Sequence, residues 1–297
     1  MENLLSTTGA ILITGPTASG KSALAVKLAK QNGGAVINAD SMQVYDTLRV
    51  LTARPDDADM EGVPHHLYGH VPAGTAYSTG AWIRDVVELL PRLRNKGRLP
   101  VFVGGTGLYF KALTGGLSDM PVIPDEIRAG LRQRLIDEGP SQLYAALQER
   151  DPAVAESLNP EDGQRIVRAL EVLEATGRSI AAFQQQTGPV IVDPDSARKI
   201  VVLPDRAVLH QRINGRFEAM LEQGAEDEVR ALLALNLPAE MPAMKAIGVS
   251  QIAAMFRGEL TRDEVIDRGS AATRQYAKRQ MTWFRNQMDD SWERMAP

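Results

Sequence analysis

The strongest chemical signal in the sequence is a glycine-rich run at residues 15–22, GPTASGKS, which matches the pattern G-x-x-x-x-G-K-[ST]. Glycines let backbone N–H groups surround a phosphate, and a helix that begins there adds partial positive charge. Lys21 would place its charge on the terminal phosphates, and the Ser22 hydroxyl would ligate Mg²⁺. The predicted phosphate-binding residues are Gly15, Pro16, Thr17, Ala18, Ser19, Gly20, Lys21 and Ser22. The run predicts a site for a di- or triphosphate, usually the nucleotide ATP.

A carboxylate follows the second predicted strand. Residues 35–38 are a short apolar run, AVIN, and Asp40 comes two positions after it. The C-terminal ends of strands face the ligand in an open α/β sheet, so Asp40 would lie near the phosphate loop. There it could bind Mg²⁺, position a nucleophile or take a proton. It could instead cap a turn or helix, but its place at the strand end favours a functional role.

The apolar run at residues 99–103 ends in small residues, Gly104-Gly105-Thr106-Gly107, where a nucleotide hydrolase would carry an aspartate for Mg²⁺. Paired glycines allow close backbone approach to a ligand, and Thr106 can donate a hydrogen bond to an oxygen. A tight turn explains the glycines equally simply. The guanine-reading pattern Asn-Lys-x-Asp is also absent from the sequence. These departures argue against a plain ATPase or GTPase.

Basic residues cluster outside the predicted sheet. Arg165 and Arg168 lie three positions apart, beside Gln164, on a predicted helix at residues 161–175. The last predicted helix mixes basic with aromatic residues: Arg274, Tyr276, Lys278, Arg279, Trp283, Phe284 and Arg285. Such mixtures suit phosphate backbones and unstacked bases, although a solvated helix face explains the last helix equally well. Arg212 and Arg216, one helical turn apart, could face the phosphate site, although such a pair is more often structural.

The composition narrows the class of protein. The chain has 297 residues, of which 44% are hydrophobic and 24% charged, as in soluble globular proteins. The absence of cysteine excludes disulfides, thiol catalysis and cysteine-bound zinc. Without a long apolar run or a secretion signal, we expect a cytoplasmic protein with no membrane contact. The net charge of −4 excludes a uniformly basic nucleic-acid binder but is compatible with a local basic cleft.

Strand-like and helical runs alternate in the first half of the chain, and a long helical stretch then interrupts them. The predicted strands are residues 10–14, 35–38, 66–71, 99–103 and 199–203. The predicted helices are 22–30, 80–96, 124–138, 141–150, 161–175, a short one after residue 179, and four that begin near 205, 225, 244 and 261. This order predicts an α/β fold: a P-loop NTPase-like parallel sheet flanked by helices, with an all-helical insertion domain. We assign residues 1–118 and 193–297 to the catalytic core and 119–192 to the insertion.

Taken in order, these motifs resemble the bacterial tRNA dimethylallyltransferases, a P-loop family of tRNA prenyltransferases. The matching blocks are GPTASGKS at 15–22, DSMQVY at 40–45, PHH at 64–66, VGGTGLY at 103–109, QRIVRALEV at 164–172, RF at 216–217, AIG at 246–248 and TRQYAKRQMTWF at 273–284. Each block alone is modest evidence. Their shared order along the whole chain makes the resemblance specific.

The resemblance implies transfer of a dimethylallyl group from dimethylallyl diphosphate to the exocyclic amine of the adenosine 3′ of the anticodon, in tRNAs that read codons starting with U. Diphosphate would leave, held by the phosphate loop with Mg²⁺ at Ser22. Asp40 would accept a hydrogen bond or proton from the amine, while Thr106 and Arg216 would contact the diphosphate.

The resemblance also implies how tRNA is bound. The implied tRNA contacts are Asp40, Ser41, Met42, Gln43, Thr106, Arg128, Gln164, Arg165, Ile166, Val167, Arg168, Lys245, Ala246, Ile247, Gly248, Val249 and Ser250. The helical insertion would clamp the anticodon stem-loop. We expect the protein to act as a monomer.

Two departures from the family pattern and three alternatives remain open. Residues 51–55 read LTARP instead of GTAKP, so that Arg54 replaces lysine, and Val249 stands where tyrosine is common. A P-loop small-molecule or nucleoside kinase is the main alternative, although it has no evident use for the TGLY run or the basic last helix. A prenyltransferase acting on free adenylate would not need the insertion. An RNA-binding switch without chemistry would not need Asp40.

Overall fold

A parallel sheet of six strands is the framework of the computed structural model, which describes residues 9–296. The strands are β1 (Ile11–Thr14), β2 (Ala35–Asn38), β3 (His65–His66), β4 (Pro100–Gly104), β5 (Arg198–Val202) and β6 (Glu293–Met295). They are ordered β3-β2-β4-β1-β5-β6, and every pair is parallel. All residues of β1, β2 and β4 are buried, as expected for central strands with helices on both faces. The predicted α/β class is confirmed.

The described chain divides into two compact units, and the sheet lies in the larger one, which runs to Thr114 and resumes at Val190. Its helices before the division are α1 (Lys21–Gln31), α2 (Asp57–Met60), α3 (Thr79–Asn95) and α4 (Gly107–Gly115, whose last residue belongs to the second unit). Those after it are α10 (Arg206–Glu222), α11 (Ala225–Ala234), α12 (Val249–Phe256) and α13 (Arg262–Gln287). Leu12 points into a core with α3, α4 and α13, whereas Ile11 and Ile13 point into a core with α1. The alternation of strand side chains thus separates two cores.

The smaller unit, Gly115–Pro189, is built from helices. They are α5 (Asp125–Glu138), α6 (Pro140–Arg150), α7 (Pro152–Glu156), α8 (Gly163–Thr176) and α9 (Ile180–Gln184). Its core includes Leu131, Leu143, Leu147, Ile166 and Leu170. Near its two ends the Gly188 N–H donates to the Leu117 carbonyl at 3.0 Å. The division falls a few residues before the boundaries assigned from the sequence, 119 and 192.

Several elements differ from the sequence prediction. The strand expected at 66–71 is wrong beyond His66, because Leu67 and Gly69 have φ of 62° and 54° and turn the chain. The helix expected near residue 244 is instead a 3₁₀ turn at Pro242–Lys245 followed by α12, because Gly248 has φ 104°. Helices α2, α4 and α7 and strand β6 were not predicted; all are short or follow glycine-rich runs. Within residues 9–296, no helix combines the length and apolar character needed to cross a bilayer.

One buried tryptophan supports the strand end that precedes Asp40. Trp82 of α3 is fully buried and stacks on Tyr109, with ring centroids 4.1 Å apart. Its indole Nε1–H donates to the carbonyl of Asn38, the last residue of β2, at 2.8 Å. A helix on one face of the sheet thereby fixes the C-terminal end of β2.

We expect Trp82→Phe to lower the free energy of unfolding by about 2 kcal/mol, because it removes a buried hydrogen bond and part of a stacked ring. Urea unfolding followed by circular dichroism measures the change. Val208→Ala is the control, since Val208 is 41% exposed and its loss should cost less than about 0.5 kcal/mol. Equal stability of the Trp82→Phe variant and the native protein would contradict this role.

Candidate active site

The predicted phosphate loop connects β1 to α1 and has the backbone of an anion site. Ala18 and Gly20 have φ of 62° and 87°, which turns the chain so that α1 begins at Lys21 with no side-chain cap on its N–H groups. A Cβ at Gly15 would lie 2.6 Å from the Val202 carbonyl, so only glycine lets the loop pack against β5. The buried Ser19 Oγ has no hydrogen-bond partner among the described residues. Free amides and a free hydroxyl at a helix N-terminus suit a phosphate group.

Two cations and one carboxylate surround this loop. Lys21 Nζ donates to the Pro16 carbonyl at 3.2 Å, and Arg216 Nη1 reaches Thr17 Oγ1 at 3.5 Å. Burial lowers the pKa of Lys21 to about 8, with the Asp40 carboxylate opposing this shift and the Arg216 guanidinium adding to it. Burial also lowers the pKa of Arg216, again opposed by Asp40. The cations repel each other and are partly desolvated, so a bound anion would relieve both costs.

Asp40 is held at the end of β2 with one oxygen uncommitted. Its N–H donates to Asn38 Oδ1 at 2.9 Å, and its Oδ1 accepts from the Met42 N–H at 2.9 Å. Within residues 9–296, no hydrogen-bond donor contacts its Oδ2. Burial, and next the Asp40 charge, raises the pKa of Tyr68, Tyr109 and Tyr276, so these phenols stay protonated. The carboxylate is therefore oriented, and Oδ2 can accept from a ligand N–H.

Thr106 and the two glycines before it lie beside Asp40. Thr106 Oγ1 accepts from the Ser41 N–H at 2.9 Å and contacts Ser41 Oγ at 3.2 Å. A Cβ at Gly104 would lie 2.0 Å from the Ala39 carbonyl oxygen, so glycine is needed for the loops after β2 and β4 to meet. Thr106 thus joins these loops at the strand edge that carries Asp40.

Gln280 of α13 is a site residue that the sequence did not single out. It is 6% exposed; its Oε1 accepts from the Thr17 N–H at 3.0 Å and its Nε2 donates to the Gly105 carbonyl at 3.0 Å. One amide therefore joins the phosphate loop to the loop that carries Thr106. The signal that could have identified it is its position on the buried side of an amphipathic helix, on the same face as Ala277 and Phe284.

Two cavities meet at Asp40 and Arg216. The larger, about 730 Å³, lies over the phosphate loop and is also lined by Arg212 and Tyr68. The smaller, about 300 Å³, has a largely apolar wall that includes Phe217 and Met220. Residues lining both cavities are Thr17, Ala18, Asp40, Thr52, Ala53 and Arg216. A ligand phosphate over the loop and an apolar or aromatic group in the smaller cavity would meet beside Asp40.

The predicted RNA-binding residues of the larger unit differ in whether they line a cavity. Those lining the smaller cavity are Asp40, Ser41, Met42, Lys245, Ala246 and Ile247, and Gln43 and Asp40 line the larger one. Thr106, Gly248, Val249 and Ser250 line neither cavity. Val249 is 2% exposed and its side chain packs in the core, which explains why a smaller residue than tyrosine fits there. Arg54 donates to the carbonyls of Tyr45 and Asp46 at 2.8 and 3.3 Å.

In the smaller unit, the predicted RNA-binding run on α8 has two faces. Gln164 and Arg165 are exposed, whereas the side chains of Ile166 and Val167 lie in the core. Arg168 contacts Glu171 at 3.1 Å. Arg128 of α5 contacts Asp125 at 3.1 Å. The structure thus assigns Ile166 and Val167 to packing, and the RNA contacts of the exposed residues stay a prediction.

The depressed pKa of Lys21 predicts a pH effect on anion binding. Below pH 8 the amine is charged, and above it the charge is lost, so only about a tenth remains at pH 9. We expect affinity for inorganic diphosphate to fall by up to about tenfold from pH 7 to pH 9, measured by calorimetry. Lys21→Arg is the matched control, because arginine stays charged and the ligand's own titration is common to both proteins. Identical pH profiles would contradict the prediction.

Comparisons with known proteins agree with the motif order. A family model described as IPP transferase matches residues 43–287, and one described as isopentenyl transferase matches residues 8–68. The tRNA dimethylallyltransferases of Rhizobium johnstonii and Agrobacterium fabrum are 78% and 68% identical to this chain, with full coverage of both chains in each case. The sequence resemblance is confirmed.

Solved structures are also similar to the chain. The tRNA isopentenylpyrophosphate transferase of Bacillus halodurans is 32% identical, with a TM-score of 0.69 and 98% and 90% of the two chains covered. A eukaryotic dimethylallyltransferase acting on tRNA is 27% identical, with a TM-score of 0.79 and 94% and 70% covered. On sequence, motif order and fold alike, the chain belongs to the tRNA dimethylallyltransferase family of IPP transferases.

Proposed function

We propose that this protein transfers a dimethylallyl group from dimethylallyl diphosphate to the exocyclic amine of the adenosine 3′ of the anticodon, in tRNAs that read codons starting with U. The observation that carries the proposal is the meeting of two cavities at Asp40 and Arg216, one over an anion loop and one largely apolar. One side of this junction suits a leaving diphosphate, and the other suits a nucleobase. Family membership supports the donor and the acceptor class.

The leaving-group side is built to hold negative charge. Lys21 and Arg216 supply cations, and the Ser19 hydroxyl and the first amides of α1 supply donors. An allylic carbon tolerates positive charge, so the barrier to transfer falls as the departing diphosphate is stabilised. Lys21 is mostly charged at neutral pH, since the pKa of its amine is about 8. The phosphate loop therefore acts here as the holder of a leaving group.

Mg²⁺ is the proposed cofactor, and few protein groups at the site could ligate it. Within residues 9–296, no group of three or more His, Asp or Glu side chains could hold a metal ion, but the Ser22 hydroxyl is exposed at the start of α1. Mg²⁺ is often bound by few protein oxygens together with substrate phosphates and water, so Ser22 plus the diphosphate would suffice. When bound, the ion would neutralise charge on the diphosphate.

The nucleophile side uses Asp40. The adenine must leave the base stack to reach a buried carbon, and the smaller cavity offers an apolar wall for its ring. The bond from the exocyclic nitrogen to C1 of the prenyl group forms as the C1–O bond to diphosphate breaks. The nitrogen then carries an extra proton, which Asp40 Oδ2 accepts. Thr106 positions this end of the site through Ser41 and would contact the diphosphate there.

RNA binding is proposed for both units. Lys245, Ala246 and Ile247 would receive the anticodon loop at the smaller cavity, while Gln164, Arg165, Arg168 and Arg128 of the helical unit would contact the stem-loop backbone. The protein would work as a cytoplasmic monomer.

Mass analysis of nucleosides tests the proposal most directly. tRNA lacking the modification is incubated with the protein, dimethylallyl diphosphate and Mg²⁺, then digested, and we expect one prenyl unit on adenosine. Parallel reactions offer AMP as the acceptor, or γ-labelled ATP with nucleosides. Phosphate transfer without prenyl transfer would replace the proposal by the kinase alternative, and prenylation of AMP alone would change the acceptor.

Asp40→Asn should lower the single-turnover rate of prenyl transfer by about 10²–10⁴-fold, because the amide keeps the acceptor for the Met42 N–H but cannot take a proton. Affinity for tRNA, measured by filter binding, should change little. Asp267→Asn makes the same charge change on an exposed turn of α13 and should leave the rate unaltered. A rate for Asp40→Asn within a few-fold of the native rate would remove Asp40 from the chemistry.

A further inference from the structure

Part of the wall shared by the two cavities comes from an irregular segment, residues 49–53. Thr52 and Ala53 line both cavities, and Leu51 lines the smaller one. A Cβ at Gly248 would lie 2.6 Å from Leu51 Cδ2, so the Leu51 side chain packs directly on the backbone that follows Ile247. A displacement of this segment would therefore change the shape of both cavities beside Asp40.

Regular secondary structure does not hold this segment. Residues 49–53 belong to no helix or strand, and Ala53 has φ 51°, a conformation that a non-glycine residue adopts at a cost. Two turn hydrogen bonds, from the Ala53 N–H to the Val50 carbonyl and from the Arg54 N–H to the Arg49 carbonyl, close the segment at 2.9 Å each, and side chains satisfy further backbone groups. Gln43 Nε2 donates to the carbonyls of Thr52 and Ala53, both at 2.9 Å. These two bonds hold the C-terminal half of the segment.

The N-terminal half is held by one carboxylate from outside the site. Glu228 of α11 accepts three consecutive backbone N–H groups: its Oε1 accepts from Arg49 at 3.0 Å and Val50 at 2.6 Å, and its Oε2 from Leu51 at 3.1 Å. Hydrogen bonds to an ionised acceptor are stronger than neutral ones, and three of them on adjacent residues fix the local backbone. Glu228 itself lines neither cavity.

We infer that Glu228 is a positioning residue for the transfer reaction, acting through the 49–51 backbone to hold the Leu51–Ala53 wall against the reacting groups. The expected kinetic effect rests on the proposed function. The hydrogen bonds from residues 49–51 to Glu228 do not depend on it. The two oxygens of the Glu228 carboxylate accept hydrogen bonds from three backbone N–H groups. A neutral amide side chain retains one oxygen and turns an N–H₂ group toward the Leu51 N–H, where two donors would face each other.

Hydrogen–deuterium exchange and single-turnover kinetics on the full chain together test this role. We expect Glu228→Gln to speed amide exchange most at Leu51, and Glu228→Ala to speed it at all three of Arg49, Val50 and Leu51. Misplacement of the wall should lower the single-turnover rate at saturating tRNA and donor by roughly tenfold in both variants. Asp227→Asn is the matched control, since it makes the same charge change on the adjacent, exposed residue and should alter neither quantity.

Each outcome is decisive. Faster exchange with an unchanged single-turnover rate would make Glu228 a purely structural residue and overturn the inference. Unchanged exchange in both variants would show that the three bonds do not hold the segment. A native protein that prenylates no tRNA would defeat the proposed function instead, while the exchange measurement would still report on the contact. Because the rate is measured on folded enzyme at saturation, a loss of stability alone would not lower it.

Discussion

One buried amide, the side chain of Gln280, holds the two halves of the site together. Strands β1 and β4 are adjacent, and the Thr14 hydroxyl donates to the Gly104 carbonyl at 3.0 Å, so their following loops start side by side. Gln280 then bonds the Thr17 N–H on one loop and the Gly105 carbonyl on the other. A Cβ at Gly105 would lie 2.2 Å from Gln280 Nε2, so the absence of a side chain there is part of the same contact. The distance from leaving group to base depends on this bridge.

The charges of the site are arranged around that fixed frame. Asp40 partly offsets the cost of burying Lys21 and Arg216, and all three groups line the larger cavity. A carboxylate close enough to neutralise both cations would compete with the diphosphate for them. Asp40 Oδ1 instead accepts from the Met42 N–H, which fixes the orientation of the carboxylate between the two cavities that it lines. Within residues 9–296, neither Lys21 nor Arg216 forms an ion pair with a carboxylate at contact distance, so both can hold the leaving group.

Local sequence predicted the parts of the site that depend on local backbone chemistry. The phosphate loop, the strand before it and the helix after it follow from glycine spacing and an apolar run, and Asp40 followed from its place after β2. The partners of Gln280 and Glu228 could not be predicted, because each side chain acts on residues far along the chain: Gln280 and Thr17 are 263 positions apart. The helical pattern marks Gln280 as a buried polar residue but does not say which loops it joins. The prediction of a strand at 66–71 is wrong because a hydrophobic pattern gives no information on the left-handed φ of Leu67. Ile166 and Val167 belong to a block shared with the family yet serve packing, because a helical block spans every face of its helix.

The acidic net charge of the chain is compatible with RNA binding because of how the cations of the helical unit are held. Glu171 is only 5% exposed, yet it contacts Arg168 at 3.1 Å and Arg128 at 4.0 Å. The buried carboxylate accepts a hydrogen bond from Arg168, whereas Arg128 donates to Asp125 at 3.1 Å. Each arginine is thereby oriented and keeps further guanidinium donors for a second anion. Arg165, by contrast, pairs with Asp162 at the surface, where the pair contributes little and can exchange for a phosphate. Arg168 and Arg128 are thus held in place before RNA binds, whereas Arg165 can change partner. This arrangement needs no excess of positive charge on the chain as a whole.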